Sequence, residues 1–304
     1  SCGFGECFGS VSIVGGLTSG MLQQGALSGI KVVEFSNQVA GSFCARLLGD
    51  AGADVVKVEP PKGDRYRQTG PYPEGSVDPD WSGLFLYLNS NKRGVVLDID
   101  VSGGRSAFLD LVSAADFLVV GENSVKIERL GLRREKLVKT NQGLIVTSIT
   151  PFGLTGPDSS YIGDDLIAIG AGGMAYATPG IPDMVEDADL EPPLRSNTYM
   201  SGYLAGVQGA VASVAALLSR KIQGVGCEID LSIQEAVASV MPFELAHASY
   251  YEPKTRRPEI FGVMPNAYLP CKDGYVVIMA VMEGHWRNLM DLADNPDWAE
   301  LEVF

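Results

Sequence analysis

The sequence has few of the residues that bind metals or form disulfide frameworks. Its 304 residues include only two histidines and five cysteines, and the cysteines are widely and irregularly spaced. An odd number of such cysteines argues against a disulfide framework and against a zinc site, and favours reduced thiols in a cytoplasmic protein. We therefore expect no metal site.

Positive charge is also scarce. The chain has 23 Lys and Arg residues against 37 Asp and Glu residues, which gives a formal net charge of −14. A chain with so few cations offers no basic face of any size, so we expect neither a nucleic-acid partner nor an anionic membrane surface. A few local cations could still bind an anionic ligand. No apolar run was expected to reach the length of a membrane span.

Apolar residues are plentiful, at 46% of the chain, which is enough for a large core and predicts two domains. The first 26 residues are rich in Gly and Ser and lack a basic leader. They are interpreted as a flexible arm or linker and not as a signal peptide.

Residues 27–61 contain a complete strand–helix–strand unit. Its strands are predicted at Ile30–Phe35 and Asp54–Val58, and its helix at Ala40–Leu48. Two apolar strands joined by one helix are normally parallel neighbours in a sheet that is covered on both faces. The turn Ser36–Gly41 should therefore lie at the carboxyl edge of the sheet, where such sheets bind ligands.

That turn lacks the G-x-G-x-x-G pattern, which excludes a nicotinamide or flavin dinucleotide as the expected cofactor. Short buried strands continue to alternate with helices as far as Ile149. This alternation predicts an α/β fold with a doubly wound, mostly parallel, Rossmann-like sheet. We predict a large domain over residues 27–222 and a smaller α+β domain over residues 223–304.

Several phrases occur in the order in which a known family has them. The chain resembles the family III CoA-transferases, which include formyl-CoA transferase, carnitine CoA-transferase and 2-methylacyl-CoA racemase, and the resemblance covers Leu27 to Trp298. The phrases include Gly29–Val32 (GIKV), Gly52–Asp64 (GADVVKVEPPKGD), Asn91–Arg93 (NKR), Glu128–Leu132 (ERLGL) and Ala215–Arg220 (AALLSR).

The resemblance implies an enzyme that moves CoA between an acyl-CoA and a carboxylic acid, with CoA thioesters as substrates and no separate cofactor. It also implies a partner subunit. Family members form an interlocked dimer, in which one chain closes a ring through which the second threads. The small domain here is incomplete relative to the family, so the partner is expected to be either a second copy or a second CoA-transferase half.

The resemblance further implies where CoA lies. It should run along the first turn and point its sulfur toward a pair of adjacent acids. The implied binding residues are Gln38, Val39, Ala40, Leu97, Arg129, Gly163 and Asp164. From the residues alone, Arg129 could instead pair with Glu128 or Glu135, and Lys92 and Arg93 could either face a ligand phosphate or be ion-paired in a structural turn.

One position departs from the family pattern. The family's nucleophilic aspartate falls on Gly202, and the histidine of the racemases falls on Asp164. In the family, the aspartate attacks the thioester to form a mixed anhydride and then an enzyme-bound CoA thioester. Glycine has no side chain for this step, so a covalent route needs another acid.

Three hypotheses follow. The chain could be an active CoA-transferase with a relocated acid, for which Asp165 is the candidate catalytic residue. It could be a catalytically silent half whose partner carries the aspartate, or a CoA-binding interaction module without chemistry. An Asp before an apolar run is also an ordinary helix N-cap, so one acid of the pair Asp164 and Asp165 could be a cap and the other chemical.

Overall fold

The computed structural model describes residues 25–178, 196–250 and 266–300, together with residues 192 and 194. Residues 1–24 of the predicted arm lie outside this range. The chain divides into two compact units, one of Ser1–Met174 with Arg195–Val240 and the other of Ala175–Leu194 with Met241–Phe304.

The first unit contains a six-stranded parallel sheet. Its strands are β1 (Lys31–Ser36), β2 (Asp54–Glu59), β3 (Lys92–Val96), β4 (Phe117–Gly121), β5 (Ile145–Thr150) and β6 (Glu228–Ser232). Their order in the sheet is β3-β2-β1-β4-β5-β6. Every residue of β4 and β5 is buried, as expected for central strands that helices cover on both faces. The predicted doubly wound parallel sheet is confirmed.

Helices cover both faces of this sheet. The first unit contains the helices α1 (Val39–Asp50), α2 (Gly83–Leu88), α3 (Ser102–Ser113), α4 (Ser124–Leu130), α5 (Arg134–Leu137), α6 (Asp165–Ala171), α8 (Met200–Gln223) and α9 (Ile233–Ala238). The short helix α7 (Met174–Ala177) begins in the first unit, and its later residues belong to the second. Successive strand residues point to opposite faces. Val32 accordingly packs in the core that contains α1 and α8, whereas Val33 packs in the core that contains α3 and α4.

The predicted domain boundary at residue 222 differs from the observed arrangement. It would place β6 in the small domain, whereas β6 pairs in parallel with β5 and the first unit extends to Val240. The strand has only five residues and is mostly half-buried, so its sequence does not indicate which sheet it joins. The pairing register decides this, with Val146 opposite Glu228 and Thr150 opposite Ser232.

The chain after β6 forms two successive helices. α9 ends at Ala238, and α10 (Pro242–Tyr250) begins in the second unit. Proline cannot continue a helix in its interior, and it disfavours helical geometry in the residue before it, so Pro242 separates the two. The second unit also contains α11 (Glu283–Leu292) and the antiparallel hairpin of β7 (Asn266–Cys271) and β8 (Gly274–Met279).

α8 is the longest helix that the structure describes. Its 24 residues and hydropathy of 1.4 would suffice to cross a membrane, contrary to the expectation that no run reaches that length. Half of that apolar stretch is buried inside the protein. A Cβ atom at Gly206 would lie 2.9 Å from the carbonyl oxygen of Ala40 in α1, so the two helices are in close contact. α8 is therefore apolar because it forms the core.

A buried cluster of charges joins the first three strands. Lys57 Nζ lies 2.8 Å from carboxylate oxygens of both Glu34 and Asp64. Lys92 Nζ lies 2.6 Å from the other oxygen of Glu34. Arg93 instead forms a two-point ion pair with Asp54 at the surface. The ion-paired interpretation of Lys92 and Arg93 therefore accounts for both side chains.

Replacing Lys57 by Met tests this cluster. We expect Lys57→Met to lower the free energy of unfolding by about 3–5 kcal/mol, because Glu34 and Asp64 would remain buried without their shared cation. Arg93→Met, which breaks an exposed pair in the same sheet, should cost about 0–1 kcal/mol. Urea unfolding followed by circular dichroism measures both. Equal losses would contradict the assignment.

Candidate functional site

The turn after β1 is held by one side chain. Ser36 Oγ donates to the Gln38 carbonyl oxygen at 2.9 Å and accepts the Gln38 backbone N–H at 3.2 Å. The turn follows the first strand, and β1 lies between β2 and β4, where the strand order reverses. The sequence places this turn at the ligand-binding edge of the sheet, and the topology agrees.

A small cavity of about 30 Å³ opens beside this turn. Seven of the residues that the sequence singled out line it, namely Gln38, Val39, Ala40, Gly163, Asp164, Asp165 and Gly202. They come from three separate stretches of the chain. The volume is close to that of one water molecule, so an acyl group could enter only if side chains at the rim moved.

Gln38 offers an acceptor at this cavity. Its side-chain oxygen is buried and has no hydrogen-bond partner within the part of the chain that the structure describes. Buried polar atoms are usually hydrogen-bonded, so an exception in a cavity lining is notable. A ligand N–H or O–H could supply the missing bond.

The structure places Leu97 and Arg129 away from the cavity lining. Leu97 is partly buried against the core that contains α3, and it lines a separate apolar groove. Arg129 is exposed at the end of α4 and forms an ion pair with Asp100 at 2.6 Å. Its partner is therefore neither of the two glutamates considered from the sequence.

The two adjacent acids have different roles. Asp164 is exposed and is the N-cap of α6, where its carboxylate accepts the Asp165 backbone N–H at 2.7 Å. Asp165 is only 6% exposed. Its Oδ1 atom accepts from the Ser201 backbone N–H at 3.0 Å and from Ser201 Oγ at 2.6 Å.

Asp165 thus connects two helices. Ser201 is the second residue of α8, so the carboxylate lies at the N-terminus of a 24-residue helix, where negative charge is favourable. Attack through Oδ1 of Asp165 would require release of these two hydrogen bonds. The contacts that the structure describes give Asp165 a structural function first.

The position of the family nucleophile is closed. A Cβ atom at Gly202 would lie 2.8 Å from Val39 Cβ and 2.9 Å from Val39 Cγ1. Carbon atoms do not approach so closely, so any side chain at this position requires α1 and α8 to move apart. The carboxylate is absent and the space that it would need is occupied.

Sequence reasoning missed Arg65 and Tyr66 as residues of the cavity. Tyr66 is 3% exposed, and its hydroxyl accepts the Val39 backbone N–H at 3.2 Å. Arg65 Nη2 donates to the same hydroxyl at 2.5 Å. The sequence signal that could have found them is Asp64, the last residue of the family phrase Gly52–Asp64. Asp64 is buried beside Lys57 and caps the Tyr66 backbone N–H at 2.8 Å. This segment is therefore part of the core and of the cavity wall.

Burial affects the ionisation of both side chains. Desolvation raises the pKa of the Tyr66 hydroxyl, which therefore stays neutral, while the neighbouring Arg65 opposes the rise. Desolvation works to lower the pKa of Arg65, but its contacts with Tyr66 and Asp164 outweigh this and raise the pKa on balance. Arg65 is a permanent cation at the rim of the cavity.

Among the described residues, no group of three or more His, Cys, Asp or Glu side chains could hold a metal ion.

Comparison with known proteins identifies the family. The family model for CoA-transferase family III matches residues 27–304. The chain belongs to the family III CoA-transferases. Among solved structures, it resembles a CAIB/BAIF family protein from Brucella suis, with a TM-score of 0.74 and 29% identity over 92% of this chain and 72% of that one. It also resembles Rv3272 of Mycobacterium tuberculosis, with a TM-score of 0.77 and 27% identity over 92% and 72% of the two chains.

Curated relatives of this CoA-transferase family member are longer than the chain itself. Succinyl-CoA:(R)-benzylsuccinate CoA-transferase subunit BbsE of Thauera aromatica is 33% identical over 84% of this chain and 60% of its own length. Succinyl-CoA:mesaconate CoA-transferase of Haloarcula hispanica is 32% identical over 90% of this chain and 69% of its own length. The chain therefore spans about 60–69% of these two relatives.

The close packing at Gly202 can be tested by measuring the free energy of unfolding of variants. We expect Gly202→Ala to lower the free energy of unfolding by about 1–3 kcal/mol, because the new methyl group overlaps Val39. Gly170→Ala is the matched control, since it lies in helix α6 with nothing within 4 Å of its added Cβ. The control should gain up to about 1 kcal/mol. Denaturant unfolding compares them, and an unchanged Gly202→Ala would show that the space is open.

Proposed function

We propose that the protein binds an acyl-CoA with its thioester at this cavity and takes part in the transfer of CoA between an acyl-CoA and a carboxylic acid. One observation carries the proposal. The resemblance assigns Gln38–Ala40 to CoA, Gly163–Asp165 to the end that carries its sulfur, and Gly202 to the position of the nucleophile. These residues are far apart in the sequence, yet they line the same cavity.

The first turn would contact CoA mainly through side chains. The Gln38 backbone N–H is bonded to Ser36 Oγ, and the Val39 backbone N–H is bonded to the Tyr66 hydroxyl. Those two amides are therefore not available to a ligand. The buried Gln38 side-chain oxygen is the acceptor that would take a donor of the pantetheine arm.

The distal part of CoA would pass Leu97 and reach Arg129, as the family resemblance implies. Arg129 is exposed and bonded only to an exposed carboxylate, so exchanging Asp100 for a phosphate would cost little. A phosphate would give it a charge-assisted hydrogen bond.

Arg129→Ala tests this path. We expect the dissociation constant for CoA to rise by the equivalent of about 1–3 kcal/mol, the range for a hydrogen bond to a charged group. Isothermal titration calorimetry measures it. Arg93→Ala, which removes another exposed and ion-paired arginine, should leave CoA binding unchanged. An unchanged constant for Arg129→Ala would remove this residue from the site.

A covalent route would use Asp165. Its carboxylate would attack the thioester carbonyl, the C–S bond would break, and a mixed anhydride and the CoA thiolate would form. The thiolate would then attack the Asp165 carbonyl, release the original acid and leave an enzyme-bound CoA thioester. An acceptor carboxylate would reverse these steps and leave as the new acyl-CoA. If Oδ1 is the attacking oxygen, release of its hydrogen bonds to Ser201 would come first.

A silent half is the second candidate, and a specific observation favours it. The Gly202 position is packed against Val39, so the usual carboxylate has no room. Relatives include proteins named as subunits, such as the alpha and beta subunits of succinyl-CoA–L-malate CoA-transferase of Chloroflexus aurantiacus. In this alternative, the aspartate belongs to a second cytoplasmic subunit. That subunit is a homologous CoA-transferase half, and it forms an interlocked dimer with this chain.

Mass spectrometry separates the two candidates. The intact protein is incubated with an acyl-CoA, and any acyl or CoA adduct is mapped by peptide analysis. An adduct on Asp165 that Asp165→Asn abolishes supports the active enzyme, with Asp158→Asn, an exposed acid of the same loop, as control. CoA binding without an adduct supports the silent half. Absence of CoA binding contradicts both.

A further inference from the structure

We propose that Arg65 binds the free carboxylate of a dicarboxylic acyl group or acceptor acid, so that the site selects dicarboxylic over monocarboxylic substrates. The inference rests on the proposed binding of acyl-CoA at the cavity, and it names the substrate class.

Arg65 is held in place at the rim of the cavity. Its guanidinium carbon lies 4.8 Å from the centre of the Tyr66 ring, and Nη2 donates to the Tyr66 hydroxyl at 2.5 Å. Its backbone N–H donates to Asn37 Oδ1 at 3.2 Å. The side chain remains 46% exposed and lines the same cavity as Asp165 and Gly202. The cation is therefore oriented and accessible.

Most of its hydrogen-bonding capacity is unused. A guanidinium has five N–H donors, and the contacts within the described residues use one of them, toward Tyr66. The nearest carboxylate oxygen, Asp164 Oδ1, lies 3.9 Å from Nη2, which is too long for a hydrogen bond. Asp164 is itself 64% exposed, so solvent weakens this ion pair.

Neighbouring arginines do not share this property. Arg67, two residues along, donates from Nε and Nη2 to the two oxygens of Glu59 at 2.7 and 2.9 Å. Arg93 likewise donates from Nε and Nη2 to the two carboxylate oxygens of Asp54 at 2.9 and 2.6 Å. Carboxylates of the protein occupy these two planar forks. Among the residues that the structure describes, the guanidinium of Arg65 has no such partner, and a ligand carboxylate fits it in the same bidentate geometry.

The position of Arg65 indicates which part of the ligand it contacts. The reacting end of an acyl-CoA would lie between Gly163–Asp165 and Gly202, and Arg65 lines the same cavity. A second carboxylate a few bonds from the reacting carbon can therefore reach it. The chain carries a net charge of −14, so a dianionic substrate needs a local cation. A substrate lacking the second carboxylate would leave Arg65 without a bidentate partner, which disfavours it.

Two thioesters of equal chain length test the proposal. Succinyl-CoA and butyryl-CoA both carry four-carbon acyl groups and differ in the terminal carboxylate. By isothermal titration calorimetry, we expect the full chain to bind succinyl-CoA about 10- to 100-fold more tightly than butyryl-CoA. Arg65→Gln should abolish this preference and leave the dissociation constants of CoA and butyryl-CoA within about twofold.

Two further variants sharpen the comparison. Arg65→Lys keeps the charge but loses the planar fork, so it should retain only part of the preference. Arg46→Gln is the matched control, because Arg46 also lies over a tyrosine ring, 4.0 Å from the centre of Tyr87, but does not line the cavity. It should keep the wild-type preference. Melting curves by circular dichroism confirm that each variant is folded.

Contrary results are distinguishable. Equal affinity of the wild type for both thioesters overturns the inference alone, while the proposed CoA binding stands. A loss of affinity in Arg65→Gln that is equal for CoA, succinyl-CoA and butyryl-CoA also overturns it, because Arg65 would then contact the CoA moiety. Failure of the wild type to bind CoA overturns the proposed function and this inference with it.

Discussion

The close approach of α1 and α8 is the constraint on which the rest of the first unit depends. Glycines on α8 allow it, since Cβ atoms at Gly202 and Gly206 would each come within 3 Å of α1. The contact brings the N-termini of both helices to the same edge of the sheet. It also fills the space beside Gly202, the position at which the family resemblance places the nucleophile.

Two further sets of contacts keep that edge in place. The buried ion cluster of Glu34, Lys57 and Asp64 holds the segment after β2 against the sheet, and the next residues carry Tyr66 to the Val39 amide. Asp165 fixes α8 from the opposite side through Ser201. A buried carboxylate with two donors from one residue is a strong local constraint. Buried contacts therefore hold the backbone around the cavity, and contacts with Tyr66 orient the exposed Arg65 side chain.

This arrangement separates binding from covalent chemistry. Within the described residues, the cavity has an unpaired acceptor at Gln38 and an accessible cation at Arg65, which are groups suited to contact a ligand. The candidate nucleophile Asp165 accepts two hydrogen bonds from the first turn of α8. A protein of this family can keep the first property without the second if a partner supplies the missing aspartate. The relatives named as subunits are consistent with such a division.

The sequence by itself determined the family, the parallel α/β sheet and half of the cavity lining, because alternating buried strands and family phrases are local signals. The family resemblance also placed the missing carboxylate at Gly202. Only the tertiary structure showed that Val39 fills the space beside it and that Arg65 and Tyr66 belong to the cavity. It also assigned β6 to the large sheet. These features depend on contacts between segments far apart in the chain, and neither residue periodicity nor composition encodes such distances.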